Sequence, residues 1–216
     1  MLPSELAKKL KEIRDGLDEN HAIRLHRAIS WLKCANNYSD QDEDVAVIAL
    51  WIAFNSCYAV DEQAYIERNE RDKFYDFSKK LVSFDKDNQI YNLLWKKYSE
   101  FVRGVIENRY IFMPFWASLH DDSVNWKKSF DGSRHEYYKA LKENNTELLL
   151  GIILDRLYVL RNQLVHGGAT YNSKVNRDQI KTGRNLMQEL VPLFIEIMFN
   201  EADWGTIYFP VVGQDE

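Results

Sequence analysis

Apolar residues recur every three or four positions along most of this chain, the spacing that gives a helix one dry face. Pro3 or Ser4 opens a first helix and Gly16 closes it. Over 18–37, Ile23, Ala28, Ile29, Leu32 and Ala35 share one helical face, and 36–40 is a turn cluster. Asp42 or Asp44 then caps a helix reaching about Ala59. Carrying Ile48, Trp51, Ile52, Phe54 and Tyr58, it is apolar on nearly every side, which predicts the central, most buried element. Residues 61–81 mix many charges with Tyr65, Phe74, Phe77 and Leu81 and predict a surface helix with room for an interruption. The amphipathic pattern returns over 88–108 through Ile90, Leu94, Val102 and Val105. Residues 110–130, aromatic and punctuated by Pro114 and Asp121-Asp122, predict short helices and loops. Asp131-Gly132-Ser133 predicts a break before a short helix over 134–143. Asn144 to Glu147 leads into a second strongly apolar helix over 148–166, stopped by Gly167-Gly168 where a left-handed cap belongs. A last long helix spans 178–199 with Pro192 inside it, where a kink is expected, and 204–212 suggests a short extended tail.

Composition narrows the class. With 216 residues, 45% hydrophobic and 28% charged, the chain fits one globular domain over 1–216. Nine Gly and four Pro are too few for the turns of an all-β protein of this size, so the fold class is all-α: an up-and-down helical bundle with extra helices inserted in its middle. Two cysteines, Cys34 and Cys57, cannot build a disulfide framework or a four-Cys zinc site, and read as free thiols in a reducing cytoplasm. The formal net charge of -5 argues against a constitutive DNA-coating surface. The first sixteen residues are charged throughout and predict no signal peptide, and the longest apolar runs, 45–54 and 148–154, are too short to span a bilayer. His21 and His26 stand five apart and do not present a zinc-ligating pair, so no metal and no cofactor is expected.

The stretch that carries chemistry is Leu157 to Gly168. Leu157, Leu160 and Leu164 share a core-facing stripe, while Asn162 and His166, four apart, are neighbours on another face. Tyr158 and Asp155 continue that face as cleft-lining candidates, and the long Arg161 side chain reaches the groove beside His166. A cation, an amide and an imidazole thus gather at the last turn of an apolar helix. Metal-independent phosphodiester transfer on RNA asks for these groups. An imidazole moves protons near neutral pH, and a guanidinium fork stabilises charge growing on phosphoryl oxygens. The helix C-terminus also favours an imidazolium. One histidine does not supply both an acid and a base, so a two-fold dimer with this helix at the interface completes the set.

Arg161, Asn162 and His166 resemble the R-x-x-x-x-H signature of the HEPN superfamily, in its Asn variant. Residues 24–32 (Arg24 to Leu32) are similar to an early helix of such proteins, and Leu50 to Ala59, with Ala53-Phe54-Asn55 and Tyr58, resembles their apolar helix. The likeness spans 18–59 and 148–199; the intervening 61–144 reads as a family-specific insertion. The resemblance implies a helical bundle that dimerises through the motif helix. It implies metal-independent endoribonuclease activity, with His166 as acid/base, Arg161 as phosphate stabiliser and Asn162 as orienting group. It also implies a toxin or phage-defence role, with an antitoxin or defence-complex partner.

Weighed against this are a non-catalytic HEPN interaction module and a nucleotide-binding protein. Without the likeness, Arg161 and His166 would read as groups capping the last carbonyls of their helix. Asn55 is read as structural. Between Arg156 and Arg184 six basic residues stand against Asp178 alone, which reads either as an RNA-tracking surface, with Lys174 and Arg177 as contacts, or as a solvated face beside an acidic neighbour.

Overall fold

A computed structural model of the chain describes residues 2–61, 68–200, 202–207 and 209. Among them the regular structure is helical, apart from one antiparallel bridge between Val60 and Ile207. The order begins with α1 (Pro3–Ile13), a 3-10 turn (Arg14–Gly16), α2 (Glu19–Tyr38), α3 (Glu43–Tyr58) and α4 (Glu70–Phe84). The middle holds α5 (Gln89–Tyr91), which continues as a π-helical turn (Asn92–Lys97), then α6 (Ser99–Ile106), a 3-10 turn (Arg109–Ile111) and α7 (Met113–Ala117). It closes with α8 (Trp126–Lys142), α9 (Thr146–Val165) and α10 (Arg177–Ile197). No helix of the described residues is long and apolar enough to cross a membrane.

The helix starts are set locally. Asp18, Asp42, Asn69 and Asn145 each accept a hydrogen bond from a backbone N–H three residues on, at 2.9–3.2 Å. Each such cap is worth ~1 kcal/mol. Packing then selects the middle of the bundle. Helix α3 buries Val47, Leu50, Trp51, Phe54 and Cys57 between α2 and α10, and α9 buries residues on nearly every side from Leu149 to Leu160. Burial pushes the Cys57 thiol up to about 12, as befits an inert core residue, and both cysteines are free. Gly183 of α10 permits a close approach to α9, since a Cβ there would stand 2.5 Å from Leu160 Cδ2. Buried Arg24 clasps the C-terminal segment by donating to the carbonyls of Cys57, Ala59, Trp204, Gly205 and Thr206 at 2.8–3.3 Å.

The structure departs from the sequence expectations in three places. Helix α4 carries more of the core than its charges suggest: Phe74, Phe77 and Leu81 are buried along α9, while Arg71, Asp72, Asp76 and Lys79 face out as expected of a surface helix. Its charges mask a 3–4-residue apolar stripe. The part of that expectation over 62–67, including Tyr65, lies outside the described residues. There is no break at 131–133, because α8 runs through it. Gly132 is exposed, with nothing near a would-be Cβ, so it costs only ~1 kcal/mol of helix propensity and does not turn the chain. The single amphipathic helix expected over 88–108 is divided by the π-turn and by Tyr98 (φ -121°, ψ 21°). In the tail, Trp204 is buried against Phe77, while 210–212 lie outside the described residues.

Candidate functional site

Up to Leu160, α9 is core; from Arg161 its residues are half-buried, and Val165 and His166 are exposed. The His166 N–H donates to the Asn162 carbonyl at 3.0 Å, so the backbone stays in helical register through His166. That register stands the imidazole and the Asn162 amide on neighbouring positions of one face. Gly167 then takes the left-handed conformation (φ +70°) and ends the helix. The loop folds back closely, for a Cβ on Gly168 would meet the Gln163 carbonyl at 3.3 Å.

Of the groups singled out by sequence, Arg161 and Asn162 are in direct contact, Arg161 Nη1 donating to Asn162 Oδ1 at 2.9 Å. This holds the amide by its oxygen. Arg161 Nε is buried and has no hydrogen-bond partner, a donor waiting for an acceptor. Tyr158 goes elsewhere: its ring packs on Trp51 (5.9 Å) and Phe74 (5.7 Å), in the core rather than a cleft. Asp155 is half-buried. Desolvation pushes its carboxyl above the usual range, against the pull of Arg71 and Arg156. Asn55 lies in α3 with a buried Oδ1 that finds no partner, so the hydrogen bond expected of a structural role is not made there.

The basic cluster is dispersed by the fold. Arg156 is buried with its guanidinium 4.0 Å above the Phe112 ring and Nη2 donating to Ser133 Oγ; desolvation draws it down to about 10. Arg177 Nη2 donates to Asp44 Oδ2 at 2.9 Å and Nη1 to Glu43 Oε2 at 3.4 Å. The hydrogen bond to Asp44 comes first in raising the Arg177 pKa above its ordinary value. Arg184 donates to the Ser39 carbonyl at 2.6 Å and stands 3.7 Å from Glu43. Lys174 and Lys181 remain exposed. An acidic neighbour is therefore what Arg177 and Arg184 meet, and Arg177 has its charge offset.

Sequence spacing did not pick out what these pairs build, a strap on the loop after the motif. Tyr171 donates its hydroxyl to Asp42, and the Asn172 N–H donates to Asp44 Oδ2 at 2.9 Å. With Arg177 and Arg184 they frame a polar cavity of about 380 Å3 at the N-terminus of α3. Desolvation works to raise the Asp42 carboxyl, but the bonds from Tyr171 and the Val45 N–H prevail and hold it below the usual range. The only sequence signal was the acidic run Asp42-Glu43-Asp44, which reads locally as a helix cap. A second missed link is Gln163, whose Nε2 donates to the Tyr110 carbonyl at 2.5 Å and ties the motif helix to the inserted segment.

No family model matches the chain, and neither the curated proteins nor the solved structures yield a match.

Proposed function

We propose that the chain is a metal-independent endoribonuclease of HEPN type, cutting RNA by attack of a ribose 2'-OH on the adjacent phosphorus. The observation that carries this reading is the last turn of α9: an exposed His166 in register with Asn162, and Asn162 held by an Arg161 whose Nε has no acceptor. In the proposed reaction His166 takes the 2'-OH proton or gives one to the leaving 5'-oxygen. Arg161 receives the non-bridging phosphoryl oxygens, and Asn162 orients the imidazole or the phosphate. Products carry a 2',3'-cyclic phosphate and a 5'-OH.

The second acid/base comes from a second copy. Exposed apolar residues flank His166 in support of such a seam: Val165, Tyr171 and, 92% exposed, Val175. Two-fold pairing there would bring two motif turns into one crevice. Lys174, exposed on the post-motif loop, is the cation for phosphate tracking, and Arg177 serves after release from Asp44. On this reading the chain is a cytoplasmic toxin or phage-defence effector restrained by an antitoxin or defence-complex partner.

The test is cleavage of mixed RNA by purified protein in EDTA, with end-group analysis. Cyclic-phosphate ends that disappear in His166→Ala are expected. No cleavage, or equal cleavage by the variant, overturns the reading.

A further inference from the structure

The inserted segment builds an aromatic cluster that the main core does not absorb. Phe115 meets Tyr110 (5.5 Å) and Trp126 (5.1 Å) edge-on, and Trp126 meets Phe130 at 6.1 Å. Arg109 lies 4.9 Å over the Tyr110 ring and also donates to its hydroxyl at 2.8 Å. Edge-on packing fixes ring planes, so these faces are pre-set rather than adaptable. Yet Tyr110 is 41% exposed, and Tyr110, Trp126 and Phe130 border an open cleft of about 690 Å3 together with Arg109, Lys127 and Gln179.

The charge of the cleft suits a base more than a bare phosphate. Two of its carboxylates are already held, Glu107 at 2.8 Å and Asp131 at 3.5 Å from Arg134. Asp178 and Gln179 remain to hydrogen-bond a base edge, while Arg109 and Lys127 are exposed cations for the adjoining phosphate. The cleft also adjoins the motif: Gln163, three residues before His166 and next to it on the helix surface, bonds the Tyr110 carbonyl. The motif helix is thus tied to the backbone of a residue whose ring borders the cleft.

We infer that this cleft binds an unpaired nucleobase, stacked on the Tyr110–Trp126 wall, and that the base belongs to a single-stranded RNA crossing the motif. Unstacked bases are taken up on aromatic rings and guanidinium planes in this way, and a duplex offers none. The strand as source rests on the nuclease reading; the stacking site does not.

The experiment measures fluorescence anisotropy of a short labelled unstructured RNA on the full-length His166→Ala chain in EDTA, with adenosine monophosphate as competitor. Added Trp126→Ala or Tyr110→Ala weakens RNA binding about tenfold, and Trp126→Phe restores most of it. Lys127→Ala, an exposed change, weakens the RNA and flattens its salt dependence. Unchanged affinity in Trp126→Ala and Tyr110→Ala chains of native melting temperature, or binding of neither RNA nor mononucleotide, overturns the site. A mononucleotide that binds as tightly as the oligomer overturns the strand as source. RNA held through Trp126 but left uncut by the native chain sinks the nuclease reading alone. RNA cut with no dependence on Trp126 sinks the cleft alone.

Discussion

Two arginines, one at each end of the bundle, show how the same side chain is put to opposite ends. Arg24 is 1% exposed and donates to five backbone carbonyls that come from two distant stretches of chain. Those carbonyls sit at a helix end and in an irregular tail; among the described residues only that of Thr206 also has a backbone donor, the Asp61 N–H at 3.1 Å, so the guanidinium completes the fold. Arg161 is half-buried and donates to its neighbour Asn162, bridging no distant stretch of the described chain. A guanidinium whose bonds run to backbone carbonyls of distant stretches holds structure together. One that is half-buried near an exposed histidine, with its hydrogen bond to its own neighbour, is suited to receive something from outside.

The contrast breaks first, and with the largest effect, at Arg24. Arg24→Ala takes the guanidinium from five carbonyls, of which that of Thr206 keeps the Asp61 N–H, and leaves a cavity. Urea unfolding is expected to show a loss of ~3 kcal/mol or more. By contrast, Arg161→Ala is expected to change stability by less than ~1 kcal/mol while lowering RNA cleavage ~100-fold or more. His166→Ala should match it in both respects. An Arg161→Ala chain that unfolds like Arg24→Ala would make Arg161 a structural residue.

Gly167→Ala sharpens the comparison from the backbone side. At φ +70° with open space around it, the added methyl clashes with nothing distant and costs only the left-handed conformation, ~1 kcal/mol. The melting temperature should fall by a few degrees, whereas cleavage should fall further because the His166 turn is disturbed.

The smallest effect is a pH slope beside Arg24. His21 is buried, its Nε2 on the Met198 carbonyl at 2.8 Å, and desolvation holds its pKa below the ordinary 6.5 despite that bond; nearby Arg24 lowers it too and Asp18 opposes. The unfolded chain therefore takes up the proton first. This contribution is intact above about pH 6.5 and is lost progressively as pH falls through and below it. Urea midpoints at pH 7.5 and 5.5 should differ, with the acid one lower and part of the difference removed by His21→Gln. The same pair of measurements should leave Arg161→Ala sloped like the native chain.

Much of this was legible from short-range pattern. Asp42 caps its helix where side-chain chemistry said it would, and α3 and α9 are the buried pair that their continuous apolar runs announced. The motif turn itself, with Gly167 as the left-handed stop, was readable because a cap is settled within five residues. The role of α4 was obscured by its charges, which are counted equally in a sequence whether they face water or core. The break expected at Gly132 failed because a glycine permits a turn without requiring one.

By itself, the sequence determined the helical periodicity, the caps and the order of groups along the last turn of α9, since all depend on residues a few positions apart. The tertiary structure alone decided which cations stay free. Arg177 meets Asp44 from 133 positions away, Arg156 goes under Phe112, and Gln163 finds Tyr110 across 53 residues. Charge and burial at a site are sums over whatever the fold brings within a few ångströms, and local spacing holds no record of those distant partners.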